Sequence, residues 1–229
     1  YRKPWRNSYL GEQDLSRETW ELMKHMETEG LEVQMIIQCA PVIAGLKVSN
    51  LLIIPEGQLF QLRELLKNSS ISMYLLLKEE GRLVILLYHR EWLQRMLEEP
   101  DRKAWLVKAG YKADYDSVRA GHEGISLSAV LARFRRRYQS YSRGMKDFPH
   151  EMGILLGYPV EDVEGFILHK GGSYLCNGYW KVYYNVSQKQ RTFRWYSFAE
   201  HHLLCLLKEG RSIPEIIRLY QRPLGIVPA

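Results

Sequence analysis

Cysteine is scarce in this chain: 229 residues hold three, Cys39, Cys176 and Cys205, and no two stand as a Cys-x-x-Cys pair. An odd, dispersed set of thiols excludes a disulfide-stapled scaffold, spells out no zinc cluster and fits a reducing compartment. Long apolar runs are missing too. No stretch approaches the roughly twenty uncharged residues that span a bilayer, and the opening Tyr1-Arg2-Lys3-Pro4-Trp5-Arg6 leads into no signal core. A soluble, cytoplasmic protein with no membrane partner is expected. Because the chain opens on Tyr1 rather than Met, an upstream targeting segment stays open. Catalytic and cofactor fingerprints are absent as well: there is no dinucleotide-binding glycine pattern, G-x-S-x-G elbow, H-E-x-x-H helix or kinase set. Lys170-Gly171-Gly172-Ser173 has the letters of a phosphate loop in the wrong order, and it ends a helix rather than opening one. No cofactor is implied.

What is present suits a buried core. The hydrophobic fraction is 46% and the net charge +6, with a pI of about 9.1, so an anionic partner is permitted without being demanded. Residues 1–30 read as a tail and leading helix, capped at Asp14 or Ser16 with Trp20, Met23 and Glu27 at helical spacing. A second helix runs through Leu31, Met35 and Gln38 to Cys39-Ala40-Pro41, where Pro41 is expected to turn the chain. Val48 to Ile54 reads as a buried strand, and Leu59, Leu62, Leu65 and Leu66 as the helix of a crossover. Ile71–Lys78 and Arg82–His89, separated by Glu79-Glu80-Gly81, carry the clearest hairpin signal. From Ser126 a helix places Leu127, Val130, Leu131, Phe134, Tyr138 and Tyr141 on one face. The expected architecture is a single α+β domain over residues 31–220, with a small, mainly antiparallel sheet of three to four strands and a tail at 221–229.

The densest block of turn and cap residues is Phe148-Pro149-His150-Glu151 through Gly157-Tyr158-Pro159 and on to Gly178-Tyr179-Trp180-Lys181-Val182-Tyr183. Pro149 and Pro159 suit helix starts and Gly157 and Gly171 suit helix ends, so a helical hairpin is predicted near residues 148–170. Glu161 and Asp162 fall in its second first turn, where the helix dipole favours negative charge. Gly165 costs about 1 kcal/mol against Ala in a helix interior, and close packing is the expected reason for it. Trp180, Val182 and Tyr184 alternate with Lys181, Tyr183 and Asn185 as in a half-buried strand, and a long helix follows from about Ser187 to Glu209.

These letters carry a resemblance. The patterns FPHE-x-G-x-x-LGYP-x-x-DV-x-GFI and G-x-WKVY, with Cys39-Ala40-Pro41-x-x-Ala44-Gly45-x-Lys47 and Asn50-Leu51 upstream, are similar to those of an uncharacterised bacterial family catalogued as domain of unknown function 3793. The similarity covers about residues 31–220. It implies a bacterial, mainly anaerobic source and no established activity. Family members often place cysteines beside the G-x-W strand and in the following helix, where this chain has residues such as Asn177 and Ala199. That departure weakens a thiolate-bound metal.

Three functions are weighed on the residues. The leading expectation is a binding or regulatory module for a small ligand or protein partner, acting through Lys181, Trp180, Tyr158 and Tyr183 on the surface of the hairpin, Gly-rich turn and G-x-W strand. An enzyme is the second: His150 and Glu151 form the compact acid–base pair of the signature, and a helix amino terminus keeps the imidazole neutral and usable as a base. Neighbouring helical residues point about 100° apart, so capping and packing is the plainer reading. The third is an anion or RNA binder using Arg133, Arg136 and Arg137 in the basic stretch 133–146, disfavoured because Phe134 and Tyr138 fall on the core stripe. His201, His202 and Cys205 stand at helical spacing, yet Cys39, Cys176 or His169 would have to join them, and no metal site is expected.

Overall fold

The computed structural model describes residues 30–111 and 124–220. The predicted leading helix, most of the 110–124 connection and the 221–229 tail lie outside the described residues. In order, the elements are α1 (Leu31–Ile43), β1 (Ser49–Pro55), a 3-10 turn (Glu56–Gln58), α2 (Leu59–Leu66), β2 (Ile71–Glu79), β3 (Arg82–His89), α3 (Arg90–Leu97), α4 (Pro100–Lys108), α5 (Leu127–Ser142), α6 (Glu151–Leu155), α7 (Val160–Leu168), β4 (Cys176–Asn177), β5 (Lys181–Val182), α8 (Val186–Lys208) and α9 (Ile213–Tyr220). The fold is α+β, with a three-stranded antiparallel sheet and a two-stranded ribbon. Its residues gather into two compact units: 47–160 forms one, and the chain on either side of it, up to Leu46 and from Glu161, forms the other.

In the 47–160 unit the strand order is β1-β3-β2. Both outer strands pair antiparallel to β3, from Ser49↔Tyr88 to Pro55↔Arg82 and from Ile71↔His89 to Glu79↔Arg82. The outer two therefore run parallel to each other, joined by the expected crossover through α2, with β3 between them. Glu80 (φ 50°) and Gly81 (φ 72°) are both left-handed, the geometry that lets a two-residue turn follow the strand twist. The continuous apolar run of β3 is explained by its central place, since Leu83 through His89 are all buried. The register shifts between Leu75 and Leu77, and Gln139 of α5 donates its side-chain N–H to the Leu76 carbonyl at 3.0 Å. A bulge interrupts the ladder, and this donor satisfies an oxygen there. Ser126 caps α5, which lies against β2 and buries Leu127, Val130, Leu131, Phe134 and Tyr138. Helices stand at both places predicted near 148–170, α6 in this unit and α7 in the other; Gly157 (φ 75°) ends the first and Gly171 (φ 73°) follows the second.

In the other unit α8 lies along α1, and α9 contacts both. Two expectations need correction here. Pro41 does not turn the chain: α1 continues through it to Ile43, and the turn comes at Gly45 (φ 67°). A proline in the last helical turn removes one intrahelical donor only, and its own carbonyl accepts from Leu46 N at 2.8 Å in the closing motif. The strand after Gly178 is also shorter than its alternation implies. β5 holds Lys181 and Val182 alone, and Tyr183 turns inward at 6% exposure while Tyr184 is 50% exposed. A carboxylate captures both of their backbone N–H groups, as described below.

The long helix α8 buries Tyr196, Ala199, Leu203 and Leu204, and among them Glu200, 3% exposed. One carboxylate oxygen of Glu200 has no hydrogen-bond partner, and burial pushes its pKa up to about 7 from 4.5. The folded protein then holds a proton that the unfolded chain has already released between those values. Stability contributed by the neutral acid is present below pH 4.5 and falls as pH rises toward 7. Denaturant titrations should give a protein about 3 kcal/mol less stable at pH 8 than this group alone would allow at pH 4.5. Glu200→Gln should flatten that dependence; an unchanged pH profile would show that Glu200 is not its source.

Candidate functional site

Two clusters contain the residues singled out in the sequence, one in each unit. In the 47–160 unit, α6 opens on Glu151, 2% exposed. Its Oε1 accepts a hydrogen bond from the Tyr111 hydroxyl at 2.8 Å and forms a close ion pair with Arg137 Nε. Burial first, and then the adjacent carboxylate, pushes the Tyr111 phenol far above its ordinary pKa, so it stays a donor. One turn before Arg137 on α5, the Arg133 guanidinium sits over the Tyr111 ring, 4.8 Å from its centroid. Sequence spacing offered no means of finding Tyr111, which lies 40 residues from Glu151.

His150 serves other neighbours. Its ring meets Phe148 edge-on at 5.3 Å, and Phe148 in turn meets Tyr141 at 5.2 Å. Burial lowers the imidazole pKa, Glu151 partly opposes this, and Arg137 adds to it. Burial, rather than the helix start invoked from the sequence, thus favours the neutral imidazole, while the Glu151 carboxylate is engaged by a cation and a phenol. Such an arrangement ties α6 to α5 and to the chain at Tyr111. It also divides the basic stretch: Arg133 and Arg137 are half-buried and partnered, and Arg136 is exposed beside Arg135. Tyr158 lies in this unit too, with Lys47 Nζ 5.1 Å from its ring centroid and its carbonyl accepting from Arg102 at 2.8 Å.

The second cluster is built on Asp162, in the first turn of α7 and 2% exposed. Its Oδ2 accepts from the Trp180 indole N–H at 2.8 Å, and its Oδ1 accepts from the backbone N–H of Tyr183 at 2.8 Å and of Tyr184 at 3.2 Å. This carboxylate answers the helix dipole and also staples the ribbon to the helix. Gly165 follows from the same contact: a Cβ there would come 2.5 Å from the Tyr183 ring, so the close approach is to an aromatic side chain. Gly178 is held likewise under Phe193, at 2.4 Å. Lys181 reaches back to the Gly171 carbonyl at 2.5 Å, with the Tyr174 ring 4.9 Å and the Phe166 ring 5.8 Å from its Nζ. Trp180, Lys181 and Tyr183 therefore share one neighbourhood, and Tyr158 belongs to the other unit.

Around that knot exposed apolar side chains stand among exposed His169, Lys170 and Ser173. Ile167 is 39% exposed, Leu168 73%, Tyr174 44% and Leu175 66%. Among the thiols, Cys39 is buried and Cys205 Sγ lies 3.6 Å from His201 Nε2. Among the described residues no three His, Cys, Asp or Glu side chains gather as a metal site, and no helix is long and apolar enough to cross a membrane.

Residues 35–217 match the model of a family described as Protein of unknown function (DUF3793). No curated protein and no solved structure matches the chain.

Proposed function

The chain belongs to the family described as Protein of unknown function (DUF3793), and we propose that it is a binding module that recognises a protein partner. The recognition surface is the apolar rim formed by the end of α7, the Gly-rich turn and the approach to β4. One observation carries this reading: four large apolar side chains within residues 167–175 are exposed, beside a lysine whose ammonium is already held by a carbonyl and two rings. Exposed aliphatic and aromatic groups in one short segment are the mark of a surface kept for association. The Asp162 staple supports the reading because it fixes residues 180–184 against α7. These hold the segment through Lys181, which donates to the Gly171 carbonyl, and through the Val182 carbonyl, which accepts from the Leu175 N–H, and this lowers the entropy lost on binding.

The test is affinity purification from the native host with quantitative mass spectrometry. Wild type and Phe60→Glu, which alters a 76%-exposed ring in the other unit, should recover the same partner. Leu168→Glu/Leu175→Glu should recover at least about tenfold less. Equal recovery by the double variant would remove the rim from the interface.

A further inference from the structure

The outward face of α8 has a composition that the apolar rim does not share. Between Ser187 and His202 the exposed side chains are Ser187, Gln190, Arg191, Arg194, Trp195, Phe198 and His202. The one acidic residue of α8, Glu200, is buried. The exposed face thus presents rings, cations, an amide and a hydroxyl, with no carboxylate and no aliphatic group. At 100° per residue Arg191, Arg194, Trp195, Phe198 and His202 fall within about 100° of one another, along about 16 Å of helix.

The rings are available. Trp195 is 57% and Phe198 61% exposed; they stand perpendicular at 6.2 Å, and Phe198 lies parallel to His202 at 5.9 Å. Open aromatic faces with guanidinium groups beside them recognise a chain that alternates flat bases with phosphates. From this geometry we infer that the α8 face binds single-stranded nucleic acid, with Trp195 and Phe198 stacking on bases and Arg191 and Arg194 meeting phosphates. Trp, Phe and Arg are common in protein interfaces as well. What favours a nucleic acid here is charge: the exposed face carries two guanidinium groups and no carboxylate, which suits a phosphate chain and would bring a second copy's Arg191 and Arg194 against their own kind. The basic stretch on α5 makes the contrast: its rings Phe134 and Tyr138 are buried while Arg135 and Arg136 face out. The inference rests on α8 alone and is independent of the apolar rim.

Fluorescence anisotropy with a labelled oligouridylate of about 20 nucleotides tests it on the full chain. Binding should weaken as salt rises. Trp195→Ala/Phe198→Ala should weaken it at least about tenfold, and Arg191→Gln/Arg194→Gln should reduce the logarithmic salt slope by about two. Arg135→Gln/Arg136→Gln should bind as wild type. All substituted groups are exposed, and circular dichroism confirms that each variant is folded. The inference is overturned if wild type fails to bind at about 50 mM salt, if the ring variant binds undiminished, or if the α5 variant alone loses binding. A duplex of equal length bound as tightly as the single strand also overturns it. So does a wild-type dimer that the ring variant loses without any RNA binding, which assigns the face to a second copy.

Discussion

Asp162→Ala is expected to lower the unfolding free energy by about 4 kcal/mol, because three donors lose one charged acceptor and the bond to the Tyr183 N–H is buried. That is a large part of the roughly 5–15 kcal/mol that holds a domain together. Asp162→Asn should cost about half as much, since its amide oxygen can still accept from Tyr183 and Tyr184 while its amino group faces the Trp180 N–H donor to donor. Trp180→Phe removes one of the three hydrogen bonds and should cost about 1–2 kcal/mol. Urea titrations followed by far-ultraviolet circular dichroism measure all three. A loss below about 1 kcal/mol for Asp162→Ala would mean that the staple carries little of the stability assigned to it. The consequence reaches the proposed recognition surface, because Tyr174 and Lys181 keep their places through the ribbon that Asp162 holds.

Glu151→Ala is expected to cost about 3 kcal/mol. It strands the buried Tyr111 hydroxyl and leaves Arg137 without its carboxylate, and Arg137 recovers part of the loss because its side chain is 38% exposed. Glu151→Gln should cost about 1–2 kcal/mol: the amide oxygen still accepts from Tyr111, and the charge assistance from Arg137 is gone. A double-mutant cycle of Glu151→Ala with Tyr111→Phe should return a coupling of about 1 kcal/mol, measured as the departure from additivity in denaturant midpoints. Additive effects would show that the two side chains act separately. The cycle bears directly on the acid–base alternative for His150 and Glu151, since a carboxylate coupled to Tyr111 and Arg137 is committed to its neighbours.

Much of this molecule was legible in its residues, and the limits have particular causes. The hairpin Ile71–His89 could be read from two apolar runs around Glu80-Gly81, because a two-residue turn has few workable backbones. The α5 stripe could be read from periodicity, and the helix pair of the signature from Pro149, Gly157, Pro159 and Gly171, because caps and breakers act within a few residues. Pro41 misled because a proline's effect depends on where in the helix it falls, and that is decided by the Gly45 turn beyond it. Tyr183 and Tyr184 misled because strand alternation presumes a ladder partner, and here an aspartate side chain takes the partner's place.

The site divides along the same line. Local letters were enough to gather Trp180, Lys181 and Tyr183, which stand within four residues of one another in the chain. They were also enough to place the chain in its family, whose model matches residues 35–217. Tertiary structure alone decided that Glu151 answers Tyr111 and Arg137, that Asp162 is a buried acceptor rather than a solvated cap, and that Glu200 is sealed inside while Trp195 and Phe198 face out. The physical reason is one of range: propensity, capping and periodicity are settled within a turn or two of the backbone. Burial and the pairing of charges depend on what distant segments bring to the same place.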